Sequence, residues 1–159
     1  MKLINLILAL IIFSVLKVNA QPVPAAEENI PFLVTFGKKA KTSYGDNDFK
    51  QVFYFSIPKE YRKPFYIRVF DPNVGGENDE IIGEANSKTK FSIYGGKGCI
   101  LNRGKKDLPQ GNLLGTKTFD NSSKYDGKWY SFGPFNPSQG EDAEKYYGNV
   151  FKIIANGIE

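Results

Sequence analysis

The sequence predicts an all-β protein, an antiparallel β-sandwich, from three observations. Short runs of alternating apolar residues recur along the chain. Gly, Pro, Asn and Asp separate them, and no amphipathic helix follows the N-terminal apolar stretch. The 159 residues also contain no histidine and a single cysteine. Ser-His-Asp and Cys-His catalysis, His-ligated metal sites, Cys-cluster metal sites and internal disulfides are thereby excluded.

The chain divides into three segments: 1–20, 21–31 and 32–159. Met1-Lys2 is a short basic start, and residues 3–16 are apolar except for Asn5 and Ser14. Val18-x-Ala20 is a small-residue cleavage pattern, so the segment reads as a secretory signal peptide cut after Ala20. A membrane-spanning helix wants about 20 apolar residues, more than this run supplies. No cysteine follows it, which argues against a lipid anchor. The expected location is secreted, periplasmic or at the cell surface. Cleavage would remove Lys2 and Lys17 and lower the formal charge from +4 to +2, leaving no electrostatic case for nucleic-acid binding. No membrane span is expected in the mature chain. Residues 21–31 hold three prolines and no periodic pattern, as a leader does.

Strand-like runs follow at 32–36, 50–57, 65–70, 89–94, 113–119, 128–135 and 149–155. Residues 141–147 have room for about one helical turn. Alternation assigns Gln51, Phe53, Phe55 and Ile57 to one face of their strand, opposite Val52 and Tyr54. In the same way Phe65, Ile67 and Val69 oppose Tyr66, Arg68 and Phe70. Phe91 and Ile93 oppose Ser92 and Tyr94, and Phe151, Ile153 and Ala155 oppose Val150, Lys152 and Ile154. A Phe/Ile/Val core between two sheets follows. The pattern does not separate jelly-roll from immunoglobulin-like connectivity, although the Cys…Trp…Cys signature of the latter is absent. Asn156-Gly157 is a hairpin signal with no returning strand after it, so either the sheet ends there or the chain is truncated from something longer; truncation is favoured, since an unpaired final edge would be a pairing liability. Cys99 reads as a small buried hydrophobe.

Two loops concentrate charge. Residues 71–80 hold Asp71, Asn73, Glu77, Asn78, Asp79 and Glu80 without a base, and Gly75-Gly76 lets carbonyls turn inward. Such oxygens suit calcium, although the spacing is not that of an EF-hand; a solvated, sharply turning loop has the same composition. Asp46 and Asp48 form a smaller acidic turn. Lys97, Arg103, Lys105 and Lys106 form a basic glycine-rich loop, which is either simply solvated or attractive to an acidic glycan. Tyr54, Tyr66, Tyr94 and Tyr130 fall on faces opposite the expected core and suggest a ring platform for sugars. Strand propensity alone also explains them. Trp129 is expected on the face away from Tyr130. Asn121-Ser-Ser123 matches a glycosylation acceptor.

The stretches Phe53-Tyr-Phe-Ser-Ile-Pro58, Phe65-Tyr-Ile-Arg-Val-Phe-Asp-Pro72 and Gly75-Gly-Glu-Asn-Asp-Glu80 resemble bacterial pre-peptidase C-terminal-type domains of large secreted and cell-surface proteins. Phe91-Ser-Ile-Tyr-Gly-Gly96 and Trp129-Tyr-Ser-Phe-Gly-Pro-Phe-Asn-Pro137 share that texture. The resemblance spans about residues 32–158. It implies a jelly-roll-like accessory domain, non-catalytic and in some cases calcium-stabilised. Three functions follow as expectations. The first is a binding module for a surface glycan or envelope protein. The second is a structural or adhesive envelope component. The third is a glycoside hydrolase using Asp71 and Glu80, against which no pocket able to raise one carboxyl's pKa is legible.

Overall fold

The computed structural model describes residues 50–73, 76–77, 88–100 and 111–158. The segments expected to be signal and leader, the strand expected at 32–36, Asp46 and Asp48 lie outside them. So do Asn78, Asp79, Glu80, Arg103, Lys105 and Lys106.

Among the described residues seven strands form: β1 (Lys50–Pro58), β2 (Phe65–Phe70), β3 (Thr89–Gly95), β4 (Asn112–Phe119), β5 (Trp129–Phe135), β6 (Glu141–Ala143) and β7 (Gly148–Gly157). Single 3-10 turns at Pro137–Gln139 and Glu144–Tyr146 flank β6. The expected helical turn at 141–147 is therefore half strand. All pairings are antiparallel.

The larger sheet runs β1-β7-β3-β4, with β6 also on β7. Strand β7 is its centre. One edge pairs with β1 from Gly148 to Asn156. The other is divided, β6 taking Gly148 to Val150 and β3 taking Lys152 to Gly157. The last strand of the described residues is thus paired on both sides and is not an edge. Asn156 and Gly157 do not turn; they pair with Lys90 and Thr89 of β3, and Asn156 also with Lys50. The start of β7 requires glycine, because a Cβ at Gly148 would lie 2.2 Å from the Ile57 carbonyl oxygen of β1.

The second sheet is the β2–β5 pair. Its inner residues Ile67, Phe132 and Phe135 meet Ile93 and Phe119 of the larger sheet in the core. Phe55, Phe65, Val69, Phe91 and Ile153 pack around them, so the alternation read from the sequence assigns these inward faces correctly. Ring geometry ties the sheets together at one end. Phe151 stacks on Phe55 at 5.9 Å and meets Phe65 edge-on at 5.0 Å. At the other end Tyr130 meets Phe119, Tyr125 and Phe132 edge-on at 4.8 to 5.3 Å. Edge-to-face packing of this kind adds about 0.5–1.5 kcal/mol per pair beyond area burial.

Candidate ligand-binding face

The outward side of the β2–β5 sheet is built by alternation. Because Ile67 and Val69 point into the core, Tyr66, Arg68 and Phe70 point out. Register then places Trp129 opposite Phe70 and Ser131 opposite Arg68. Tyr66, Phe70 and Trp129 are 57, 52 and 52% exposed. Phe70 and Trp129 lie 5.1 Å apart between ring centroids. The Arg68 guanidinium carbon sits 4.7 Å over the indole. That contact orients a planar group with five N–H donors, and its cation–π attraction is worth about 0.5–1 kcal/mol at an exposed site. Arg68 is the only charged residue in the two strands. The face thus presents three rings and one fixed cation, chemistry that can stack on the C–H face of a sugar ring and pair with an anionic substituent.

The four tyrosines of the expected platform do not come together. Tyr66 belongs to this face. Tyr54 and Tyr94 lie on the outer side of the larger sheet, both in register with Lys152 between them. Tyr130 is a correction: it points inward and packs against the core. The cause is an irregularity at Gly133-Pro134, past which Phe132 and Phe135, three residues apart, both face inward. Trp129 does lie on the face away from Tyr130. Arg68, Phe70 and Trp129 are not among the ligand-binding candidates expected from the sequence. The alternation that places Tyr66 outward also places the first two there.

The larger sheet's outer side is covered over β7, while Val52 and Tyr54 of β1 stay exposed on it. Lys152 is only 1% exposed, and Val150, Ile154 and Ser92 are buried beside it. The Lys152 ammonium lies 5.1 Å from the Tyr94 ring centroid. Burial holds its pKa below the ordinary value. A turn closed by Cys99 N–H to the Gly96 carbonyl brings Cys99 over this side. Its thiol donates to the Tyr94 carbonyl at 3.5 Å. Cys99 is buried as expected, and burial pushes its thiol up to about 11. The following Ile100 N–H donates to the Glu141 carboxylate at 2.6 Å. Lys97, from the same turn, is exposed.

The start of the acidic loop packs on the β4–β5 turn. Asp71 N–H donates to the Lys128 carbonyl at 2.9 Å. Asn73 is 4% exposed, and its Nδ2 donates to the Asp120 carbonyl, the Asp120 carboxylate and Ser122 Oγ at 3.0 to 3.1 Å. The Ser122 hydroxyl and N–H in turn hold the Asp120 carboxyl below its usual range. Glu77 is exposed, and its N–H donates to the Asp126 carboxylate at 3.0 Å. Asp71 Oδ1 and Asn73 Oδ1 are buried and accept no hydrogen bond. Leaving a buried polar atom unsatisfied costs about 1–3 kcal/mol. Among the described residues no group of three or more His, Cys, Asp or Glu side chains is arranged to hold a metal ion. Also among them, no helix is long and apolar enough to cross a membrane.

No protein-family model matches the chain, and neither a curated protein nor a solved structure does.

Proposed function

We propose that the protein is a secreted, non-catalytic recognition module that binds an acidic saccharide through the outer face of β2–β5. The observation that carries this reading is the exposed triad Tyr66, Phe70 and Trp129 with Arg68 stacked on the indole. Large rings half out of water on a two-stranded sheet are costly to keep exposed unless a ligand covers them. Arg68, with no carboxylate in either strand, selects for negative charge. The signal-like N-terminus and the resemblance to accessory domains of cell-surface proteins support a location outside the cytoplasm.

Trp129 is the only tryptophan, so its fluorescence reports on this face alone. Titration of the mature protein with polyuronate, sulfated and neutral oligosaccharides should change that emission, with the acidic ligands binding at least tenfold more tightly. Arg68→Gln should remove the preference for acidic ligands, while Trp129→Ala should abolish binding measured by calorimetry. Failure of every arm, or binding that survives Trp129→Ala, would overturn the reading. Equal affinity for neutral and acidic ligands would remove the charge selection.

A further inference from the structure

We infer that the acidic saccharide is held as an internal stretch of an extended linear polymer lying along β2, and not as a monosaccharide or a chain end; this rests on the saccharide reading above. The spacing of the outward side chains carries it. Tyr66, Arg68 and Phe70 alternate along one strand, so neighbouring members of the row are about 6.6 Å apart and the two rings about 13 Å apart. A single sugar ring is shorter than that span and reaches only one of the two. Both rings are more than half exposed, Tyr66 at 57% and Phe70 at 52%. Phe70 shares its end of the face with Trp129, 5.1 Å away between centroids. Among the described residues Tyr66 meets no other ring.

The charge divides the face in the same way. Arg68 stands between the two rings in sequence, but its guanidinium leans to the Trp129 end, 4.7 Å over the indole. Phe70, Trp129 and Arg68 together hold one acidic sugar by a ring contact and a paired charge. Tyr66 lies beyond the reach of that sugar and takes a later one of the same chain. The antiparallel register keeps the path straight, with Trp129 beside Phe70 and the small Ser131 beside Arg68. Sites that enclose a small ligand are concave. The cavity along β4 and β5 (about 320 Å³) and the one beside β1 (about 450 Å³) are lined by none of Tyr66, Arg68, Phe70 and Trp129. A row of contacts on an open sheet face lets a polymer run on past both ends.

Calorimetry of the mature protein with oligogalacturonates, from the monosaccharide to the hexasaccharide, tests the span. Affinity should rise about tenfold or more between the monosaccharide and the tetrasaccharide, and about threefold or less from there to the hexasaccharide. Tyr66→Ala should remove the first rise while leaving the change in Trp129 emission on ligand binding. A hexasaccharide carrying a bulky tag on either end should bind as the untagged one does. A monosaccharide that binds as tightly as the hexasaccharide, or a length dependence that survives Tyr66→Ala, would overturn the polymer and leave saccharide recognition standing. Loss of binding on tagging one end would place a chain end at the site and overturn it too. Absence of binding at every length would remove both readings together.

Discussion

The two outer faces of the sandwich arise from the same alternation and end in opposite environments. On the β2–β5 sheet the outward residues Tyr66, Arg68, Phe70 and Trp129 meet solvent. On the larger sheet the outward residues of its central strand, Val150, Lys152 and Ile154, are buried, a lysine included, while Val52 and Tyr54 on the β1 margin stay exposed. The difference lies in what crosses each face. The Gly96–Ile100 turn, fastened through Cys99 to Tyr94 and through Ile100 to Glu141, lies over the larger sheet. Alternation says which residues share a face; long-range loop contacts decide which face stays open.

Three substitutions sharpen that contrast, the largest effect first. Phe151→Ala removes a fully buried ring that contacts its own-sheet neighbour Phe55 and, from the opposing sheet, Phe65, and should cost about 3–5 kcal/mol, read from urea denaturation. A loss below about 1 kcal/mol would mean that the sheets are not held together there.

Next is Lys152→Met, with a pH-dependent signature. Burial depresses the Lys152 pKa below 10.5, so the native state gains stability as pH rises through that depressed value toward 10.5. Burial raises Cys99 from 9.0 to about 11, so the native state loses stability as pH rises from 9 to 11. The two slopes oppose one another in the parent. Lys152→Met removes the first, and stability should fall more steeply between pH 9 and 11 than in the parent; equal slopes would show that Lys152 is not desolvated.

The smallest effect on stability is expected at the open face. Tyr66→Ala should change unfolding free energy by no more than about 0.5 kcal/mol while weakening saccharide binding. A large stability loss there would place that ring in a packing role instead.

Much of this architecture is legible in the sequence, for identifiable reasons. β2 is bounded by Pro64 and by Asp71-Pro72 and alternates cleanly, so both its limits and its faces can be read directly. At β5, parity counted back from Phe135 places Tyr130 outside, whereas parity counted from Phe132 places it inside. The irregularity between them decides, and it has no period to detect. Asn156-Gly157 carries a turn signal that pairing with two neighbouring strands overrides. β6 is three residues of Glu-Asp-Ala, too short and polar to show a pattern. At the acidic turn, Asp71 and Asn73 stand out by composition. Their contacts with Asp120, Ser122 and Lys128 join residues 47 to 57 positions apart, and local sequence does not encode them.

The placement of β7 has a consequence for the order of events during synthesis. It is the last strand of the described residues to leave the ribosome, yet it lies between β1 on one edge and β6 and β3 on the other. Until it emerges, β1 and β3 have no partner to join them, and the larger sheet cannot close. Such non-local topology folds slowly, on a scale of about milliseconds to seconds. The β2–β5 and β3–β4 pairs need only strands made earlier, but β1 joins the larger sheet only through β7, so that sheet is completed only once its middle strand is available.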